Sequence, residues 1–242
     1  MLNYRQIFYQ QYYSYQLGRN AADFSQKRRD EARHLALEIL PLLPTQHNSH
    51  IIDIGCGIGT LVWLCQQQGY SETQGIDISP QMVAIAQELG TKNVQQADLL
   101  PFLEQHPEQF DLIIAIDVIE HFTKDELVCL LQYIHKALRP NGQIIFRTPN
   151  ADALFATMYT QGDFTHENQL NVSSAEQLLL SCGFQKVKVK NAHISLPNPF
   201  KEWLRLCIWW LYVLIARLLI FASGRSNRHL VFTPNLIIVA QK

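Results

Sequence analysis

The sequence predicts an α/β fold in which a mostly parallel sheet is covered by helices on both faces. Three observations lead there. A short apolar run, Ile51-Ile52-Asp53-Ile54, passes at once into the alternating glycines of Gly55-Cys56-Gly57-Ile58-Gly59, which reads as a buried strand, a tight turn and a helix start. Beyond it, strand-like and helix-like segments alternate regularly as far as residue 147, as successive βα units require. Carboxylates also recur where those strands should end, at Asp77, Asp98 and Asp117.

Taken in order, residues 4 to 15 hold Tyr4, Phe8, Tyr9, Tyr12, Tyr13 and Tyr15, whose loose three-to-four spacing reads as a short helix or lid, or as aromatics packed on the domain surface. Residues 22–43 read as a helix with Leu35, Leu37, Ile39 and Leu40 inward and the charged run Lys27 to Arg33 outward, ended by Pro41 and Pro44. Strands follow near 50–54, 73–77, 93–97, 111–116 and 142–147, with helices near 59–68, 80–89 and 125–138. Arg139-Pro140-Asn141-Gly142 reads as the turn feeding the fifth strand. A helix from Ser174 to Cys182 is capped by Gly183, Phe184 to Lys190 alternates as a sixth strand, and Leu236 to Gln241 forms the last. The organisation is thus an N-terminal helical or lid segment (1–45), a ligand-binding domain (46–192 with 234–242), and an apolar helical insertion (193–233).

At 242 residues, one α/β domain with an appendage is the natural size. The net charge of −1 gives no global basic field for nucleic acid. Cys56, Cys65, Cys129, Cys182 and Cys207 are odd in number, lack a C-x-x-C pair and sit mostly in apolar segments, the pattern of reduced thiols in a cytosol-facing protein. Residues 1–6 have no apolar stretch of signal-peptide length, so secretion is not expected.

The glycine turn narrows the ligand. A dinucleotide fingerprint wants G-x-G-x-x-G, but here the pattern is G-x-G-x-G and Thr60 stands where the third glycine should be, which disfavours a pyrophosphate and an NAD-dependent oxidoreductase. Asp77, eighteen residues after Gly59, can accept from both hydroxyls of a ribose. Asp98 in Gln96-Ala97-Asp98-Leu99 can accept from an adenine amino group, and singly each acid reads equally well as a turn or helix-cap residue. With its preceding acid, Asp53-x-Gly55-x-Gly57-x-Gly59 resembles the first motif of class I S-adenosylmethionine-dependent methyltransferases. That resemblance covers roughly residues 45 to 190 plus the last strand. It implies a three-layer Rossmann-like methyltransferase fold with a seven-stranded sheet of order 3-2-1-4-5-7-6, strand seven antiparallel. It implies S-adenosylmethionine as cofactor, S-adenosylhomocysteine as product, and a cofactor-binding set of Asp53, Gly55, Cys56, Gly57, Gly59, Asp77, Ile78, Asp98, Leu99 and Asp117.

Methyl transfer to an alcohol needs a nucleophile held in line with the S–CH₃ bond and a group to take its proton. Glu120, His121 and His166 are the residues expected to face the methyl, with a histidine as base at physiological pH. Asp117-x-x-Glu120-His121 also resembles the acid-x-x-Glu-His motif that binds a divalent ion in quinone O-methyltransferases and small-RNA 2′-hydroxyl methyltransferases, with Asp in place of Glu at its first position and His166 as the later histidine. Such oxygen-rich ligands would suit magnesium or manganese. A metal-free base, a metal and a structural role stay open, the first preferred.

Residues 203–222 are apolar enough to raise a transmembrane span, interrupted by Arg217, yet strand seven must return to the side of strand six. A helix or helical hairpin dipping into one leaflet satisfies both, with Trp203, Trp209, Trp210 and Tyr212 at the interface and Arg205, Arg217, Arg225 and Arg228 toward headgroups; a dimer interface or a cover on the core is the other reading. The Asp111–His121 run, Thr148-Pro149-Asn150 and Asp163-Phe164-Thr165-His166 are similar to bacterial methyltransferases of cell-surface polysaccharide biosynthesis. By implication the acceptor is a hydroxyl on a lipid-linked glycan at the inner face of the cytoplasmic membrane. A phenol or quinone O-methyltransferase and a non-catalytic cofactor-binding anchor are the alternatives.

Overall fold

The computed structural model describes Tyr4, Phe8, residues 24–224 and residues 230–242. A seven-stranded sheet runs in the order β3-β2-β1-β4-β5-β7-β6. Its strands are β1 (Ile51–Ile54), β2 (Thr73–Asp77), β3 (Val94–Gln96), β4 (Phe110–Ile116), β5 (Leu138–Pro149), β6 (Gln185–Asn191) and β7 (Asn235–Gln241). Pairings among β1 to β5 are parallel, and β7 lies antiparallel between β5 and β6. The order and the reversed β7 are those expected from the resemblance. The helices are α1 (Phe24–Glu38), α2 (Thr60–Gln67), α3 (Pro80–Glu88), α4 (Leu99–Glu104), α5 (Lys124–Ala137), α6 (Ala156–Thr160), α7 (Val172–Ser181) and α8 (Pro199–Ala222).

Alternation along the strands divides the core into two layers. Ile52, Ile54, Ile113, Phe146 and Ile238 pack against α4, α5 and α7, while Ile51, Leu112, Ile114, Ile145 and Ile237 pack against α1 and α2. Every residue of β1 is buried, which is why that strand reads as an unbroken apolar run despite Asp53. α5 begins with a capping box: Thr123 accepts from the Glu126 amide and Glu126 answers the Thr123 amide, so the chain leaving β4 is held at a fixed angle.

Four expectations are corrected. The segment after Asp98 forms a helix, α4, which Pro101 near its start disguised; proline is tolerated in a first turn because the amides there have no intrahelical partner. Leu37 is 51% exposed, since Leu35 on α1 and Ile39 just beyond its end already face the core, and Leu40 lies in a 3₁₀ turn after the helix has ended. The charged run on α1 is not wholly outward: Arg28 donates to the Leu89 carbonyl and stacks over Trp63, and Glu31 accepts from Thr60. Arg139 to Gly142 is an irregularity inside a longer β5, where pairing jumps from Phe110↔Leu138 to Leu112↔Gln143 and Asn141 takes a φ of +65°. The insertion contains one helix, α8, and no hairpin among the described residues. The expectations for Tyr9, Tyr12, Tyr13, Tyr15, Arg225 and Arg228 lie outside the described residues.

Candidate active site

The glycine turn sits between the ends of β1 and β2, and all three glycines take the left-handed backbone, with φ of +76°, +54° and +71° at Gly55, Gly57 and Gly59. They need glycine for different reasons. A Cβ on Gly55 would stand 2.5 Å from Val118, whereas one on Gly57 would meet nothing within 4 Å. The space over Gly57 is therefore not filled by any described residue, and it is the place where a ligand can lie against main-chain atoms.

Asp77, at the end of β2, closes this turn from the side. One carboxylate oxygen accepts from the Gly57 amide and the other from the Ser79 amide, both at 2.8 Å. Each oxygen keeps a second lone pair, so two vicinal hydroxyls can be bound by a carboxylate whose position is already fixed. Ile78 beside it is 51% exposed, an apolar surface at the edge of the turn. Asp53 lies beneath, 3% exposed, with Oδ1 lacking a hydrogen-bond partner among the described residues. Burial, aided by Glu31 and Asp77 and opposed by Arg147, pushes its carboxyl up to about 8. A buried carboxyl with one unpartnered oxygen next to an open cradle would be drawn into its ionised form by a ligand that brings a positive charge.

The remaining expected cofactor residues divide. Cys56 contributes only its backbone, because its sulfur is packed under Gly75 in the core. Leu99 is likewise a core side chain. Asp98 is the N-cap of α4, accepting from the Leu100 amide, so the helix-cap reading of this acid applies, and its exposed side chain remains at the sheet edge. Asp117 takes a φ of +54° and is held by two bonds from Arg147, which also reaches Glu38 at 3.1 Å. The carboxylate of Asp117 is thus directed at Arg147, a residue the sequence reading did not select.

Glu120, His121 and His166 do come together, with one donor atom from each lying within 4.8 Å of the others. Asp117 is not among them, so the acid-x-x-Glu-His spacing delivers only its last two residues to the cluster. A 3₁₀ turn, Ile119–His121, presents the first pair. The loop carrying His166 is laced onto it: Glu167 and Asn168 amides donate to the Glu120 carbonyl, and the Asn168 side chain donates to the carbonyls of Ile119 and Phe122.

Tautomers follow from the partners. Thr165 donates its hydroxyl proton to Asp163, so the same oxygen must accept from His121 Nδ1, 2.9 Å away, and the Thr165 carbonyl lies on the same nitrogen. His166 Nδ1 faces the Thr160 carbonyl at 3.1 Å, which only accepts. In its neutral form each ring would therefore carry the proton on Nδ1 and the lone pair on Nε2. Burial, then His166, lowers the His121 pKa, so this imidazole is neutral at physiological pH. Glu120 is 2% exposed; Thr148 donates to Oε2, Oε1 has no partner, and burial followed by Asp117 raises its carboxyl to about 8.

Around this cluster the loop after β5 is tied down by Asn150. Its side-chain amide donates to the Val231 and Thr233 carbonyls and its oxygen accepts from the Asp152 amide. Tyr4 and Phe8 pack on Phe164 of the same loop, and Tyr4 also donates to Glu167.

Two raised carboxyls set a pH dependence. Asp53 and Glu120 bind protons up to about pH 8 when folded but only to about pH 4 when unfolded, so the folded state holds more protons between those values. Their contribution to stability is full below pH 4 and is lost as pH rises through 8. Thermal unfolding of ligand-free protein should occur at lower temperature at pH 8 than at pH 5.5, by more than in an Asp53→Asn, Glu120→Gln variant; equal slopes would show that neither group titrates this way.

A family model described as a methyltransferase domain matches residues 10–207. The ubiquinone biosynthesis O-methyltransferase of Pseudomonas entomophila is 31% identical over 105 residues, 41% of this chain and 44% of that protein. The phosphoethanolamine N-methyltransferase of Plasmodium falciparum is 28% identical over 165 residues, 64% of this chain and 60% of that one. The chain thus spans less than two thirds of either relative. A SAM-dependent methyltransferase from Archaeoglobus fulgidus shares the fold, with a TM-score of 0.67 and 22% identity, over 89% of this chain and 94% of that one.

Proposed function

The chain belongs to the methyltransferase-domain family and is an S-adenosylmethionine-dependent enzyme, and we propose that it methylates a hydroxyl on a lipid-linked acceptor, a glycan in the leading reading, at the inner face of the cytoplasmic membrane. The cofactor supplies an electrophilic methyl on a sulfonium. Asp77 would hold its ribose, the backbone of Gly55 to Gly59 its flat side, and Asp53 its charged amino acid end. The observation that carries the hydroxyl reading is the pair of imidazoles beside Glu120, both held with Nδ1 as donor and Nε2 bearing the lone pair. An alcohol must lose a proton as it attacks, and a neutral histidine can take it. The exposed apolar helix α8, inserted between β6 and β7 at the carboxyl end of the parallel strands, supports an acceptor carried by lipid.

Incubation with radiolabelled methyl donor and a membrane lipid extract tests this. Label should appear in an amphiphilic fraction and pass to the aqueous phase when mild acid frees the glycan. Label that stays with a phenolic or quinone head would favour the other acceptor, a reading supported by the ubiquinone O-methyltransferase relatives.

A divalent ion is the second mechanism favoured by a specific observation, the convergence of Glu120, His121 and His166 with an unpartnered Glu120 oxygen. Without Asp117 this donor set is two imidazoles and one carboxylate, less oxygen-rich than the motif alone implied and closer to a zinc-type set. Metal-stripped protein that regains activity only with an added divalent ion would establish it.

Gly57→Ala separates the cradle from the fold. The left-handed backbone would cost roughly 1–2 kcal/mol, while the new methyl meets no atom of the described residues within 4 Å. The variant should fold with a modestly lower melting temperature and bind S-adenosylhomocysteine at least about tenfold more weakly; unaltered binding would place the cofactor elsewhere.

A further inference from the structure

The C-terminal quarter of the chain differs in charge from the rest. Residues 177–242 hold nine Lys and Arg (186, 188, 190, 201, 205, 217, 225, 228, 242) and a single acid, Glu202. With 20 basic and 21 acidic residues in all, residues 1–176 are left with 11 and 20, a net of −9 against +8. The basic part comprises the edge strand β6, α8 and β7, and Lys186, Lys188 and Lys190 are exposed on that edge.

α8 within this region has two unlike sides. Toward the domain, Glu202, Arg205, Trp209, Val213 and Arg217 line a cavity of about 630 Å³, and Arg205 is paired with Glu202. These include both arginines between Trp203 and Ala222, so the outer side is apolar along that length: Trp210 is 67% exposed, Leu218 58% and Phe221 75%. None of the most apolar window is buried, so α8 is not a core helix.

We propose that the β6–α8–β7 edge docks on an anionic lipid surface, with the outer side of α8 lying in one leaflet and the surrounding lysines meeting headgroups. A single crossing is excluded by length. A helix of 24 residues is about 36 Å long, and only six peptide steps lead from Gly224 to Leu230, a reach of about 20 Å that cannot return across an apolar layer of about 30 Å. The mid-helix contact of Tyr212 with Phe232, just before β7, likewise holds α8 alongside the domain. Surplus positive charge around an uncharged apolar strip favours anionic lipid over a symmetric pairing of this region with its counterpart on a second copy, in which like charges would face each other.

The inference gives the proposed lipid-linked acceptor a place to be met, and its test does not depend on methyl transfer. The full chain, freed of detergent, is sedimented with vesicles of phosphatidylcholine alone or mixed with equal phosphatidylglycerol. Wild type should co-sediment with the anionic vesicles, with a blue shift of tryptophan emission and release at high salt. Leu211→Glu with Leu218→Glu, both at exposed positions, should weaken partitioning about tenfold or more, and Lys188→Gln with Lys190→Gln should remove part of the preference for phosphatidylglycerol. S-adenosylhomocysteine binding should be unchanged in both. Folded, cofactor-binding wild type that ignores both vesicles overturns the proposal, as does a stable dimer, without vesicle binding, that the glutamate variant dissociates. Either result leaves the O-methylation reading standing, and vesicle binding without methyl transfer would fail that reading alone.

Discussion

Asp77→Ala is expected to lower the affinity for S-adenosylhomocysteine by two orders of magnitude or more while leaving a folded protein. The carboxylate does two things at once. It accepts the Gly57 and Ser79 amides, fixing the turn, and it keeps lone pairs for the ribose. Hydrogen bonds to a charged group contribute roughly 1.5–3 kcal/mol each, so losing two to the ligand alone accounts for a factor of about a hundred. Asp77→Asn retains one acceptor oxygen and should fall between. Asp98→Ala is the contrasting case, since that side chain caps α4 and is exposed; it should cost helix stability of about 1 kcal/mol and little affinity. Calorimetric titration of the three variants, with ligand-free melting as the check on folding, decides it. Wild-type affinity in Asp77→Ala would remove the ribose clamp from this position.

The second large effect concerns the imidazoles. His121→Ala and His166→Ala should each reduce kcat by about 10²–10⁴ with cofactor affinity retained, because the rings are held by Thr165 and Thr160 of the loop after β5 and the turn amides by Asp77. The pH profile carries more information than the loss. Burial and His166 hold the His121 pKa below the ordinary histidine value, so kcat of the wild type should already be at its plateau by neutral pH and decline only on acidification. Thr165→Val removes the nearer of the two acceptors on His121 Nδ1 and leaves the Thr165 carbonyl at 3.3 Å, so it should loosen the ring and lower kcat less than His121→Ala does, without altering KM for the acceptor. If both alanine variants methylate at the wild-type rate, the base is elsewhere; if neither affects function in cells, the chain acts as a cofactor-binding anchor.

What the sequence disclosed follows the range over which each interaction acts. The glycine turn, the acid of Asp77 and the alternation of βα units are local patterns, and each stands where its period and spacing place it. The resemblance supplied the position of β7, which no local pattern could. Asp117 was legible as a strand-end acid but not as the partner of Arg147, thirty residues on, nor was the link from Arg147 to Glu38 at the end of α1. The same distance hid Thr165, whose bearing on His121 depends on a loop folding back over forty-four residues. On α8 the arginines obscured the amphipathic character when counted along the chain, because their shared inner side becomes visible only once the cavity wall is known.

Asn150 limits what truncation can reveal about this molecule. Splicing β6 to β7 with a short hairpin would excise the chain whose Val231 and Thr233 carbonyls receive the buried Asn150 amide, and with it the Thr233 hydroxyl that receives the Ala192 amide. The loop after β5 would lose one of its tethers along with the helix, keeping those from Glu167 and Asn168 to the turn at Glu120. A shortened enzyme that fails to methylate would report a collapsed acceptor loop as readily as a missing attachment, whereas point substitutions on the outer side of α8 leave every one of those bonds in place.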